Sequence, residues 1–329
     1  MKEPKMNISK KHILMASALC LTALSIIICS RMLRTKDKAA YTIGIIQTAS
    51  HPALDETRKG FVDALQERLG TKVECILYNA QGSIATAHMI AQRMHADTTI
   101  DGIYAIATPA VQAITSIEQQ KPIFIAAITD PSALGITHHT KNVCGVTDMI
   151  DMEKEIEMML QLVPTIKTVA LLYSSAELNS LKQVELLKIE LAKQQIQAIE
   201  VSVTQESDIL PAISLASRKA DAIIAPSDNI IASAMELVAA LALQHKKPLL
   251  TCYNQAVKQG ALAARGVDYY QSGQEAGEYA YQVLVQGKKP QDLGIAKPKG
   301  GSIYINQKTL KELGLTIPDN LSKEVIIIQ

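Results

Sequence analysis

The chain of 329 residues has no tryptophan and two phenylalanines, and aromatic residues make up 4% of it. A pocket that grips a ring must therefore use tyrosine or aliphatic walls. Five cysteines form no CxxC pair, which excludes a disulfide-stapled scaffold and the common cysteine zinc sites. Cys75, Cys144 and Cys252 sit in apolar runs and read as small core residues. Long charge runs, low-complexity tracts and short repeats are missing. With 48% apolar and 20% charged residues, intrinsic disorder is excluded as well.

Chemical motifs are missing too. The sequence contains no GxGxxG, no P-loop, no HExxH and no GxSxG. His88 and His95 are seven apart, and His138 and His139 are adjacent; neither pair supplies the roughly four ligands of a structural metal site. Asp148, Asp151, Glu153, Glu155 and Glu157 cluster where a helix is expected to open. Acids favour that end of a helix dipole, so they read as a solvated face rather than as acid/base machinery. No catalytic residue, metal or cofactor is expected.

Only one hydrophobic run approaches the length of a span. Lys10 and Lys11 precede 16 apolar-rich residues over 13–28, followed by Cys29 and Ser30. The run is short for a membrane span and long for a signal-peptide core. Three readings stay open: an export signal with Cys29 as a lipid-attachment cysteine, an uncleaved anchor, and an ordinary cleaved signal. The stretch IIICS resembles a bacterial lipobox, with Ile28 where a small residue is usual. All three readings place the rest of the chain outside the cytoplasmic membrane. Residues 1–40 hold 8 basic and 2 acidic residues, leaving 25 basic against 30 acidic in the body. A mildly acidic body argues against a nucleic-acid partner.

From residue 41 the pattern alternates. Short apolar runs over 42–47, 72–78, 102–107 and 122–128, then 168–173, 197–203, 221–225 and 248–252, predict strands. Helices are expected over 52–69, 84–95, 109–119, 151–163, 176–195, 209–218, 230–245 and 270–286. A short strand over 302–305 and a last helix over 307–313 follow. Leu54, Phe61, Leu65 and Leu69 share one face of the first helix. Strands alternating with helices imply parallel sheets with right-handed crossovers. The eight main strands fall into two sets of four, so the expected fold is α/β with two doubly wound, Rossmann-like lobes.

In such sheets ligands bind beyond the carboxyl ends of the strands. Those ends carry Gln47 to His51, Asn79 to Ser83, Thr108, Thr129 and Asp130 in the first set. In the second set they carry Ser174 and Ser175, Ser227 to Asn229, and Tyr253 with Asn254. Each alone suits a helix cap. Together, facing one another, they suit a small polar molecule with an anionic group held at helix N-termini.

The runs HPALDETRKGFVDAL, YNAQGSIATAHMIAQ, AIATPAVQA, AAITDPSALG, LLYSSAELNSLKQVELLK, PSDNIIASAMELV and GVDYYQSGQEAGEYA occur in that order. Over residues 41–318 they resemble the ABC transporter substrate-binding proteins that bind aromatic amino acids, tryptophan above all. The resemblance implies a type I periplasmic-binding-protein fold whose lobes close on the ligand about a three-strand hinge. It implies an ABC permease and its ATPase as partners, an amino acid-like ligand, and a membrane attachment through the N-terminal lipid or anchor. It places the first-lobe contacts at Thr48, His51, Gln81, Thr108, Thr129 and Asp130. Those of the second lobe fall at Ser174, Glu177, Asn179, Ser180, Asp228 and Asn229.

Two positions depart from the family pattern. Ser174-Ser175-Ala176 stands where Asn-Pro-Gly is usual, and Tyr253-Asn254 where an acid often follows the last strand. Asp228 or Asp130 is then the candidate partner for a ligand ammonium, and Tyr253 a candidate stacking face. The expected organisation is a leader and linker over 1–40, a first lobe of 41–146 plus 254–288, and a second of 147–253 plus 289–329. Importer component is the leading reading and membrane-coupled sensor of the same fold the alternative. A secreted enzyme lacks a nucleophile or metal set, and a transcriptional regulator of this fold lacks its DNA-binding helix pair.

Overall fold

A computed structural model describes residues 39–137, 139–298, 301–321 and 325–329. The apolar run at 13–28, Cys29 and His138 lie outside the described residues. Among the described residues no helix is long and apolar enough to cross a membrane.

Residues Tyr41–Gln329 form one compact unit built on two sheets. The first holds β1 (Tyr41–Gln47), β2 (Val73–Asn79), β3 (Gly102–Ile106), β4 (Ile123–Ile128) and β5 (Val143–Thr147). The second holds β6 (Thr168–Ser174), β7 (Gln197–Val203), β8 (Ala222–Ala225), β9 (Leu249–Tyr253) and β10 (Ala263–Val267). A two-residue strand, β11 (Ile295–Ala296), joins the first sheet; β12 (Ile303–Asn306) and β13 (Val325–Ile328) join the second. The spatial orders are β11-β5-β4-β3-β1-β2 and β13-β12-β10-β9-β8-β6-β7. Every described pair is parallel except β10 with β12. β3 and β4 are buried along their whole length, as central strands covered on both faces must be.

The eight main strands and most helices fall within two residues of their expected bounds. Differences occur where a signal is weak. Residues Val143–Thr147 form strand β5, which is not among the eight expected apolar runs. The helix expected over 230–245 is two, Asn229–Ser233 and Met235–Gln244, broken at Ala234. The expected crossings also shift. Residues 254–267, expected with the first lobe, stay with the second sheet, because β10 pairs with both β9 and β12. The return to the first sheet comes at Asp268. Residues Ile295 and Ala296, expected with the second lobe, pair with Gly145 and Val146 of β5.

The returning helix Tyr269–Leu284 lies backbone to backbone on helix Pro52–Leu69. A Cβ on Gly273 would come within 2.0 Å of the Thr57 carbonyl, and one on Gly60 within 2.0 Å of the Tyr270 carbonyl. This close approach is why GVDYYQSGQEAG carries glycines in a helix, where each costs about 1 kcal/mol relative to alanine. Both phenylalanines go into the core beneath: Phe61 stacks on Tyr104 at 3.8 Å and lies 6.3 Å from Phe124. The ring contacts left for a cleft are therefore those of tyrosine and histidine.

Candidate ligand-binding site

The strand ends of the two sheets face each other around a small cavity of about 20 Å³, the space of roughly one water. Its polar lining is His51, Asp148, Asn179, Ser227, Asp228, Asn229, Tyr253 and Tyr269. Small apolar residues, Ala53, Leu54, Ala107, Ala127 and Ala232, complete the wall. Ala107 and Ala127 have positive φ, 73° and 55°. A left-handed alanine costs about 1–3 kcal/mol and marks a backbone fixed by its surroundings. Ala127 lies where the β4–β5 register shifts, between Ile125 and Ile128.

Hydrogen bonds cross between the lobes. His51 Nε2 lies 3.2 Å from Asn229 Oδ1, and Gln183 Nε2 donates to Thr129 Oγ1 at 3.4 Å. On the second-lobe side Glu177 is a hub. Its carboxylate accepts from the Asn229 amide nitrogen Nδ2 at 2.6 Å, from Asn179 Nδ2 at 3.0 Å, and from the backbone N–H groups of Asn229 and Ile230. Asp228 accepts from the Ser174 N–H and the Ser180 hydroxyl, and caps its own helix through the Ile231 N–H. Burial pushes the carboxyls of Glu177 and Asp228 above their usual range, and the hydrogen bonds they accept oppose this. Asp148 is raised by burial too, opposed by the Thr129 and Tyr269 hydroxyls that donate to it at 2.8 Å each. Burial lowers His51, so its ring is neutral. Among the described residues no lysine or arginine lines the cavity.

The residues expected at the site fall into three groups. His51, Asn179, Asp228, Asn229 and Tyr253 line the cavity. Ser174, Ser180 and Glu177 stand behind it, holding Asp228 and Asn229. The rest are placed otherwise. Thr48 donates to the Ile106 carbonyl and accepts from the Ala110 N–H, so it caps the helix that starts at Thr108 from a neighbouring strand end. Gln81 is exposed and lines a separate pocket with Thr48, Pro109 and Glu177. Asp130 caps the turn Pro131–Leu134 and faces a wide groove on another side, shared with Asp151 and Lys297. That groove, about 930 Å³, is larger than the cavity. Among the described residues, though, it gathers no buried polar atom that lacks a partner, whereas the cavity does.

Five unpartnered buried atoms mark the cleft: His51 Nδ1, Asn179 Oδ1, Ser227 Oγ and the Tyr253 hydroxyl in the wall, and Thr108 Oγ1 at the start of the helix that follows the wall residue Ala107. An unmatched buried polar group costs about 1–3 kcal/mol, so such a cluster is suited to an incoming partner. Sequence reasoning missed Asp148, Tyr269 and Gln183. Asp148 is 3% exposed, not solvated, and Glu155 is fully buried, accepting from the Arg265 N–H at 3.1 Å. The adjacent tyrosines of GVDYYQSG, at the head of a helix, were the available signal for Tyr269.

Two parallel lobes meeting over a polar, ring-walled cleft define a solute-binding module. The chain belongs to the ABC transporter substrate binding protein family, whose pattern matches residues 42–326. This is a family of binders, not of enzymes. The chain is 34% identical over 289 residues to a "Tyrosine-binding protein" of Clostridioides difficile (strain R20291), covering 86% of this chain and 83% of that one. An ABC domain from Streptococcus pneumonia solved in complex with L-Trp matches with TM-score 0.81 at 34% identity, over 87% of this chain and 99% of that one. A ligand-free, open structure of a substrate binding protein with adhesive properties from Clostridium difficile matches with TM-score 0.66 at 32% identity, over 88% and 99%.

Proposed function

We propose that this protein is the extracytoplasmic solute-binding component of an ABC importer, that its ligand is an aromatic amino acid, and that the closed form is what its permease and ATPase read. The observation that carries the reading is the make-up of the cavity. Tyr253 and Tyr269 supply two ring faces, 6.0 Å apart and tilted by 59°. Asp148 and Asp228 supply buried carboxylates for an ammonium, and Ser227 and Tyr253, with Thr108 next to the wall residue Ala107, supply unspent hydroxyls for a carboxylate. A ring, an ammonium and a carboxylate are the three parts of an aromatic amino acid.

At about 20 Å³ the cavity is far below the roughly 300 Å³ of a small-ligand pocket, so a ligand enters only when the lobes part. The three crossings, after β5, after β10 and after β11, are the proposed hinge. The higher TM-score to the L-Trp complex than to the open, ligand-free structure, at similar identity and coverage, supports a closed arrangement here. Binding then shifts an open–closed equilibrium. Cys29 is proposed to carry the lipid that holds the protein at the membrane. Melting curves with each of the twenty amino acids test the ligand class: tyrosine or tryptophan should raise the melting temperature most. A largest shift with a charged or aliphatic amino acid would refute the aromatic assignment.

A further inference from the structure

Glu177 and Asn229 were expected as ligand contacts. Their bonding gives them a different task. Both oxygens of Glu177 accept hydrogen bonds, from the backbone N–H groups of Asn229 and Ile230 and from two side-chain amides. Every group that bonds to its two oxygens is an N–H donor, so toward Asn229 it acts as an acceptor. It therefore fixes the Asn229 amide with Nδ2 toward Glu177 and Oδ1 toward the other lobe. Oδ1 is an acceptor, so the His51 nitrogen 3.2 Å away must be the one that carries the proton. Nε2–H is then spent on Asn229, and Nδ1 is left with a bare lone pair. Nδ1 is buried, has no partner among the described residues, and belongs to a side chain that lines the cavity.

We infer that Glu177 and Asn229 are positioning residues that set the tautomer of His51 across the closed cleft, so that Nδ1 accepts a hydrogen bond from an N–H or O–H donor of the ligand. The inference rests on the proposed function and adds a selection rule to it. The relay exists only when the lobes meet, because His51 belongs to the first lobe and Asn229 to the second. A ligand that offers a donor to Nδ1 is thus recognised by the closed state alone. One that offers only an acceptor there faces lone pair against lone pair. Asp55, whose charge favours protonated His51, competes with the relay and is outweighed by burial.

The test is a long-range proton–nitrogen spectrum of histidine-labelled protein, recorded alone and with saturating L-tyrosine or L-tryptophan, with titration calorimetry beside it. The expected spectrum shows His51 protonated at Nε2 and bare at Nδ1 in the complex. Glu177→Gln places a donor beside the Asn229 amide and frees it to turn. It should mix the two tautomers and weaken binding by about 10-fold or more, with the fold intact by melting curve. A purely structural Glu177 would lower the melting temperature and leave the tautomer unchanged, which overturns the inference. So does a complex in which His51 is protonated at Nδ1. If neither amino acid binds, the ligand class fails, and the relay is read in the complex with whichever amino acid raises the melting temperature most: Nε2–H there upholds it and Nδ1–H overturns it.

Discussion

The Tyr269 hydroxyl donates to Asp148 Oδ2 at 2.8 Å, joining two residues that are 121 positions apart in sequence. Asp148 begins the first crossing out of β5, and Tyr269 follows the second crossing out of β10. The other oxygen of Asp148 accepts from Thr129, which in turn accepts from Gln183 of the second lobe. A buried carboxylate thus ties two hinge segments to the cleft wall. Tyr269→Phe removes one of its two side-chain donors. Hydrogen bonds to charged groups contribute about 1.5–3 kcal/mol, so urea unfolding should show a loss of that order. Amino-acid affinity should fall as well.

Thr108 and Thr48 separate recognition from capping. Thr48 makes two hydrogen bonds inside the first lobe, and Thr108 Oγ1 makes none among the described residues. Thr108→Ala should therefore weaken binding of the amino acid roughly 10- to 150-fold and leave the melting temperature nearly unchanged. Thr48→Ala should do the reverse, lowering stability by about 1 kcal/mol. Calorimetric titration and a melting curve on each variant read both effects.

Glu155 makes stability depend on pH. Burial raises its carboxyl from 4.5 to about 8, against the opposing pull of Arg265. The folded protein then holds a proton that the unfolded chain gives up. Stability from this group is full below pH 4.5 and is lost as pH rises toward 8. The slope is at most about 1.4 kcal/mol per pH unit. Glu155→Gln should flatten the fall in unfolding free energy across that window, measured by urea titration at several pH values. An unchanged slope would mean that Glu155 is ionised in the folded state.

Much of this architecture is legible because buried parallel strands write themselves as unbroken apolar runs. β1 and β4 are examples: TIGII in one and IFIAAI in the other, each closed by a polar residue. β10 reads AARGV and β11 only Ile-Ala; small residues and short length leave no periodicity to detect. That is why the crossings shifted. At the site, His51, Asp228, Asn229 and Tyr253 stood out as polar residues at strand ends, and Asn179, inside a helix, was marked only by the family resemblance. Asp148 did not, since an acid ahead of a helix looks solvated until the other lobe covers it. The roles of Thr48 and Asp130 were hidden for a similar reason, because a hydroxyl or carboxylate spent on a cap has the same sequence signature as a free one.

Lipid on Cys29 is tested by growth with a labelled fatty acid. Label should enter the wild-type chain and not Cys29→Ala. Equal labelling of the two would remove Cys29 from the attachment chemistry.

The cleft should recognise all three parts of an aromatic amino acid at once. Titration calorimetry of the chain without residues 1–40 against L-tyrosine and L-tryptophan measures this directly. Beside them run tyramine, which lacks the carboxylate, and 3-(4-hydroxyphenyl)propanoate, which lacks the ammonium. One of the amino acids should bind at a single site, and loss of either charged group should weaken binding at least about 10-fold, some 1.4 kcal/mol. No heat with either amino acid, or equal binding of tyrosine and its two truncated forms, would contradict the account.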